Sequence, residues 1–291
     1  LLANLRKVKA IIKEHNLDLA GVEIIDPKSE DNEAKRNDYG EILFQRRNRK
    51  GYNTYEAKKI MRERNYFGCM MIQCGEADAL ITGLTRKYPD TLRPVLEIIG
   101  VEPNVKKIAG MYLMLTKRGP ICFADTTINE FPTASDLVEI TLLAAEKIRN
   151  LNIKPKVAML SYSNFGSSNL TESKIVKEAV DYLHTHHPDL IVDGEVQASV
   201  AFNNDLLKEN YPFSALIDNS PNVLIFPNLS AGNIAYHLMM ELGNSEAIGP
   251  ILLGLNKSVH VLQLGSSVRQ IVNMVAIASV DAHVKGKKNK Q

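Results

Sequence analysis

The stretch from Asn222 to Ala282 constrains the fold more than any other. An apolar run, Val223-Leu224-Ile225-Phe226, stops at Pro227. A loop of small and polar residues follows, Asn228-Leu229-Ser230-Ala231-Gly232-Asn233, then an amphipathic run from Ile234 to Leu242 that ends at Gly243. A second small-residue segment, Glu246-Ala247-Ile248-Gly249-Pro250, leads into Ile251-Leu252-Leu253-Gly254. Residues 259–262 read as a strand, and Gly265-Ser266-Ser267 opens a last helix over 268–280. Strand, small-residue loop, helix is the order that offers backbone N–H groups to an anion at a helix N-terminus.

The rest of the chain repeats this alternation. Helical spacing marks 5–14, 38–48 and 54–64, with Thr54 as the expected N-cap of the third. Residues 22–25 and the run 66–73, apolar on both alternating faces, read as strands. A turn and second strand occupy 75–83, and 91–99 reads as a helix with Pro94 in its first turn. Residues 106–116 and 120–123 alternate as a hairpin turned at Lys117-Arg118-Gly119. Then come a helix to Asn150 capped by Ser135 or Thr133, a strand at 157–161, a hydroxyl-rich loop at 162–169, a helix at 171–184, a strand at 190–195 and a helix at 196–207. This pattern predicts an α/β layered architecture. It divides into a first α/β domain, 1–123 plus 260–291, and an inserted second α/β domain, 124–259.

Composition narrows the class. The chain has 291 residues, enough for one large or two medium domains, and a net charge of +2 gives no strong pull toward nucleic acid. No apolar run approaches the ~20 residues that span a bilayer. Cys69, Cys74 and Cys122 sit in apolar runs, which suggests reduced core thiols, a cytoplasmic setting and no metal cluster. The basic segment 285–290 is expected to be a frayed, solvated end. The chain opens on Leu1, and Leu1-Leu2-Ala3-Asn4 reads as the tail of a strand-and-loop unit, so a fragment of a longer polypeptide is expected.

Several segments together resemble a known family. Asn222 to Asn233, Asn244 to Pro250, Gly75-Glu76-Ala77-Asp78-Ala79-Leu80, Asp90-Thr91-Leu92-Arg93-Pro94, Phe123-Ala124-Asp125, Pro132-Thr133-Ala134, residues 157–163 and residues 189–194 are similar to the phosphate acetyltransferases. The resemblance runs from about residue 65 to 282. Val259-His260-Val261-Leu262 and Ser267-Val268-Arg269-Gln270-Ile271-Val272-Asn273-Met274 resemble one branch more closely, the acetyltransferase-like C-terminal domain of bacterial hybrid NADP-dependent malic enzymes. The resemblance implies two α/β domains with an interdomain cleft, in the isocitrate/isopropylmalate dehydrogenase-like arrangement, dimerising through the second domain.

Acetyl transfer between coenzyme A and phosphate needs a carboxylate base for the thiol, an Arg for the phosphate and a donor for the oxyanion. In the transferases a Ser-Arg pair precedes the final helix and an Asp lies early in it. Those positions hold Gln263, Leu264 and Gln270 here. Leu264 bears no charge and Gln270 accepts no proton. Phe165 adds bulk in a loop that is glycine-rich in the enzymes.

The reading that follows is a catalytically silent regulatory domain that binds acetyl-CoA. The residues expected at the ligand are Arg93, Ser161, Ser163, Asn164, Asn233, Lys257 and Leu264. Ser161, Ser163 and Asn164 stand at the C-terminal end of a strand, where open α/β sheets bind ligands. Each has a plainer reading as well. Arg93 can pair with Asp90 or Glu97, Asn233 can N-cap the helix from Ile234, Lys257 can be a surface lysine, and His260 can be a core histidine. Cofactors are expected to be none in this chain, with NADP and a divalent metal in an N-terminal malic enzyme domain. The partners implied are acetyl-CoA, that domain, and a homodimer or higher oligomer. Two other readings stay open: an active phosphate acetyltransferase, and a purely structural oligomerisation module.

Overall fold

The computed structural model describes residues 1–288. It opens with α1 (Leu5–Glu14), α2 (Glu33–Arg47), α3 (Thr54–Ile60) and α4 (Arg64–Gln73), then β1 (Ala79–Thr82) and α5 (Tyr88–Pro94). The hairpin β2 (Ala109–Thr116) and β3 (Gly119–Ala124) follows, then α6 (Ala134–Asn150), β4 (Lys156–Leu160), α7 (Thr171–His186) and β5 (Ile191–Val196). Two short helices, α8 (Ala198–Ala201) and α9 (Asn204–Asn210), precede β6 (Val223–Ile225) and α10 (Leu229–Glu241). The chain finishes through β7 (Glu246–Leu253), β8 (Ser258–Val261) and α11 (Val268–Lys288).

Two sheets result. One pairs β1 and β8 in parallel; the other has six strands in the order β5-β4-β6-β3-β2-β7. Strands β3, β6, β4 and β5 are parallel, while β2 is antiparallel to both β3 and β7. The α/β expectation therefore holds. Strand pairing does not follow the division at residue 123, because β2 and β3 hydrogen-bond into the six-stranded sheet with β6 and β7.

Each sheet face has its own core. Along β2, Met111 and Leu113 face one way, with Val157 and Met159 of β4, against α6, α7 and α11. Tyr112 and Met114 face the other way, with Ala158 and Leu160, against Tyr236 of α10. This is the two-residue period of a strand buried on both sides. A third core joins Tyr39, Leu43, Phe67 and Met70 from the N-terminal helices to Val259 and Val261 of β8.

Several sequence readings are corrected. Residues 66–73 form helix α4, not a strand; Tyr66, Phe67, Cys69, Met70 and Ile72 are buried on all sides of it. A fully buried helix is apolar all round, so periodicity does not separate it from a buried strand. Residues 22–25 contribute only a bridge between Leu2 and Ile25. The cap of α3 is Asn53, which forms a capping box with Glu56. Helix α5 starts earlier than read, so Pro94 closes it rather than opening it, and a wider turn follows in which Gly100 N–H reaches Val95 O at 3.1 Å. The 196–207 helix is two pieces. Of the cysteines, Cys69 and Cys122 are buried but Cys74 is exposed. The tail is not wholly frayed. Lys285 bonds Glu102 and the Leu255 carbonyl within α11, while Asn289 to Gln291 lie outside the described residues. Among the described residues no helix is long and apolar enough to cross a membrane.

Candidate functional site

Parallel pairing gathers the loops after β3, β4 and β6 at one end of the large sheet. The loop after β3 is built on Asp125. Its buried carboxylate accepts from the backbone N–H of Gly110, Thr127, Ile128 and Asn129 and from the Asn129 side chain, at 2.6–3.2 Å. Burial pushes this carboxyl up, against those donors. After β6, Asn228 caps α10 by accepting from Ala231 N–H at 2.9 Å. The helix thus begins five residues before Ile234, and Asn233 is not its cap. Asn233 instead reaches the Thr126 carbonyl at 3.4 Å. Gly232 passes so close that a Cβ there would lie 2.4 Å from the Asp125 carbonyl oxygen.

The loop after β4 is closed on Glu195. Ser163, buried, donates to Glu195 Oε1 at 2.8 Å, and Gly166 N–H donates to the same oxygen at 2.7 Å. Ser163 Oγ also accepts from Ser168 N–H, and Asn164 Oδ1 accepts from Gln197 N–H at 2.8 Å. Ser161 Oγ accepts from Ser163 N–H at 3.3 Å. The hydroxyls and amides of this loop thus serve first to hold its own shape. Phe165, at φ 47°, packs on Tyr211 and Phe213 with ring centres 4.8 and 5.2 Å away. Glu195 Oε2 is buried with no hydrogen-bond partner.

The small sheet brings the other wall. Leu262 N–H donates to Thr82 O at 2.7 Å where β8 ends against β1. A Cβ on Gly83, at φ +110°, would lie 2.1 Å from Leu262 O, so only glycine lets the two loops cross there. Gln263 Nε2 then meets the Tyr236 hydroxyl at 3.4 Å, tying this wall to α10. Tyr236 stacks on Tyr112 at 4.1 Å. Burial holds the Tyr112 and Tyr88 phenols well above their ordinary range, so both are neutral, and the Tyr88 hydroxyl is buried without a partner. Leu264 is 62% exposed. Gln270 accepts from Ser267 N–H at 2.8 Å while Ser267 Oγ accepts from Gln270 N–H at 3.2 Å, the reciprocal box that starts α11.

The structure therefore groups Ser161, Ser163, Asn164 and Asn233 at one end of the large sheet, while Leu264 follows β8 of the small one, next to the Gln263 that reaches Tyr236. Arg93 is exposed on α5 and makes no hydrogen bond or ion pair among the described residues, and Glu97 is taken by Tyr52, Tyr66 and Arg47 instead. Lys257 stands before β8, whereas Leu264 follows it, a strand of about 13 Å. Sequence reasoning missed Asp125, Glu195, Tyr88 and Tyr236. An acidic residue at the end of or inside an otherwise apolar run was the available signal for the first two, since a buried carboxylate needs partners.

Residues 1–279 match the family described as Phosphate acetyl/butaryl transferase, so the likeness begins well before residue 65. A phosphate acetyltransferase of Bacillus subtilis is 38% identical over 283 residues, covering 97% of this chain and 86% of that protein. An NADP-dependent malic enzyme of Haemophilus influenzae is also 38% identical, over 264 residues, covering 90% of this chain but 35% of that protein. A phosphotransacetylase structure from Streptococcus pyogenes superposes with a TM-score of 0.86 at 33% identity, covering 97% of this chain and 84% of that one. The family match, these relatives and the shared two-sheet architecture lead to one conclusion: the chain belongs to the phosphate acetyl/butaryl transferase family.

Proposed function

We propose that this chain is a catalytically silent member of its family, a regulatory domain that binds acetyl-CoA in its cleft without transferring the acetyl group. The single observation that carries this is the uncharged character of Gln263 and Leu264 ahead of α11 and of Gln270 in its first turn; Arg269, the one charged residue between Leu264 and Gln270, is paired with Glu246 at 2.8 Å. Leu264 is an exposed aliphatic side chain, Gln263 is bonded to Tyr236, and Gln270 is committed to the helix cap. Loss of one transition-state donor alone costs ~10²–10³-fold in rate, and here base and phosphate clamp are both replaced. Arg93, with no partner of its own, is available to a ligand phosphate. Ser161, Ser163, Asn164, Asn233 and Leu264 line the remainder.

The malic enzyme relatives support a further step. The domain sits beside an NADP- and metal-dependent malate oxidoreductase in a longer polypeptide, and acetyl-CoA, by preferring one state of the pair, inhibits it. The chain itself then carries no cofactor. An exposed apolar stripe along α10 and its C-cap, Ile234, Leu238 and Leu242, supports a homodimer or higher oligomer. Titration calorimetry with acetyl-CoA tests the binding claim. Saturable heat with a raised melting temperature is the expected result; neither heat nor stabilisation leaves a structural module. Equal identity to the Bacillus subtilis transferase favours a second reading, an active phosphate acetyltransferase, which a turnover assay decides.

A further inference from the structure

Behind the site, three elements meet at a cluster of buried ionisable groups. Lys147 of α6, His260 of β8 and Asp281 of α11 are 5%, 1% and 6% exposed. Lys147 Nζ is paired with Asp281 Oδ1, and His260 Nε2 lies 3.0 Å from Asp281 Oδ2 in poor alignment for a full hydrogen bond. One carboxylate on α11 thus answers a cation beside the large sheet and an imidazole on the small one. Ser258 Oγ, next along β8, donates to the Ala278 carbonyl at 3.0 Å and fixes the same stretch of α11. Around them stand Lys285 of α11, bonded to Glu102, and Glu146 of α6.

We infer that Lys147, Asp281 and His260 form an electrostatic latch that pins the C-terminal half of α11 to both sheets while His260 is neutral, and that protonation of His260 releases it. In the neutral ring that fits the geometry, Nε2–H points toward Asp281. A second proton has to sit on Nδ1, a buried atom with nothing to accept from it. The new charge also adds to those of Lys147, paired with Asp281, and Lys285, paired with Glu102. Burial already holds the His260 ring below its ordinary value, and it holds Lys147 down as well. The folded chain therefore takes up this proton less readily than the unfolded chain. The stability is full above about pH 6.5 and is lost as pH falls below it. Asp281, held below its ordinary carboxylate value despite burial, stays ionised through this window.

The latch matters for the cleft because α11 reaches both. Its first turn holds the Ser267–Gln270 box, and Asp281 lies about 20 Å further along the same helix. The inference does not depend on which ligand the cleft takes.

Hydrogen exchange of the whole chain, corrected for intrinsic rates, and melting at about pH 7.5 and about pH 5.5 test it. In the parent chain, amides of α6 and of the second half of α11 are expected to lose protection at the lower pH ahead of the rest. The melting temperature is expected to fall by roughly 3 °C per pH unit below about 6.5. The His260→Gln variant, which cannot gain the charge, should show neither change. Overlapping pH profiles for the two proteins, or a loss of protection spread evenly over the chain, overturns the latch. Should His260→Gln fold poorly, Asp281→Asn is the second variant. It should lose α6 and α11 protection already at about pH 7.5, and unaltered protection there overturns the proposal equally.

Discussion

At the scale of single residues, the proposed silence rests on side chains whose visible bonds are structural. Gln270 is the clearest. The position that a carboxylate base would occupy holds an amide that caps α11. Gln270→Asp keeps an acceptor at the third helical position, so it should change stability by less than about 0.5 kcal/mol in chemical denaturation. On the proposed reading, this one substitution should leave turnover absent, because position 264 would still hold an aliphatic side chain. Arg93→Ala should leave the melting temperature in place, since exposed Arg93 makes no hydrogen bond or ion pair among the described residues, and should weaken acetyl-CoA binding roughly 10- to 100-fold by calorimetry. Unchanged affinity removes Arg93 from the site. Asp125 works the opposite way. Asp125→Ala leaves four backbone N–H groups without their acceptor in a buried loop, and should cost about 3 kcal/mol or more by urea denaturation.

At the scale of elements, loops that cross closely hold the two walls of the site together. Gly83→Ala places a Cβ against the Leu262 carbonyl at an unfavourable φ, so a loss of about 3 kcal/mol is expected by denaturation. The strands and helices of the large sheet were legible in the sequence because their apolar residues recur at the periods of two and 3.6. Helix α4 was not, because burial on every side erased its period. The capping box at Ser267 and Gln270 is written in the sequence as Ser-x-x-Gln. The closure of the 161–170 loop on Glu195 was not legible. It depends on β4 and β5 pairing to bring residues 29 and 32 positions apart into contact.

At the scale of the whole molecule, the chain keeps a family's architecture, and the proposal is that its cleft binds a ligand without converting it. Replacing Leu238 and Leu242 of the exposed α10 stripe by Glu should weaken self-association on the order of 100-fold in sedimentation, with the monomer still folded. An unaltered oligomer would move the subunit contact elsewhere. The central claim is a pocket that holds acetyl-CoA and does not convert it. Its most direct measurement is acetyl-CoA formation from acetyl phosphate and CoA by the purified chain. The account predicts no rate above the uncatalysed background at saturating substrate. Turnover at an ordinary enzymatic rate, on the order of 10 s⁻¹, would contradict it.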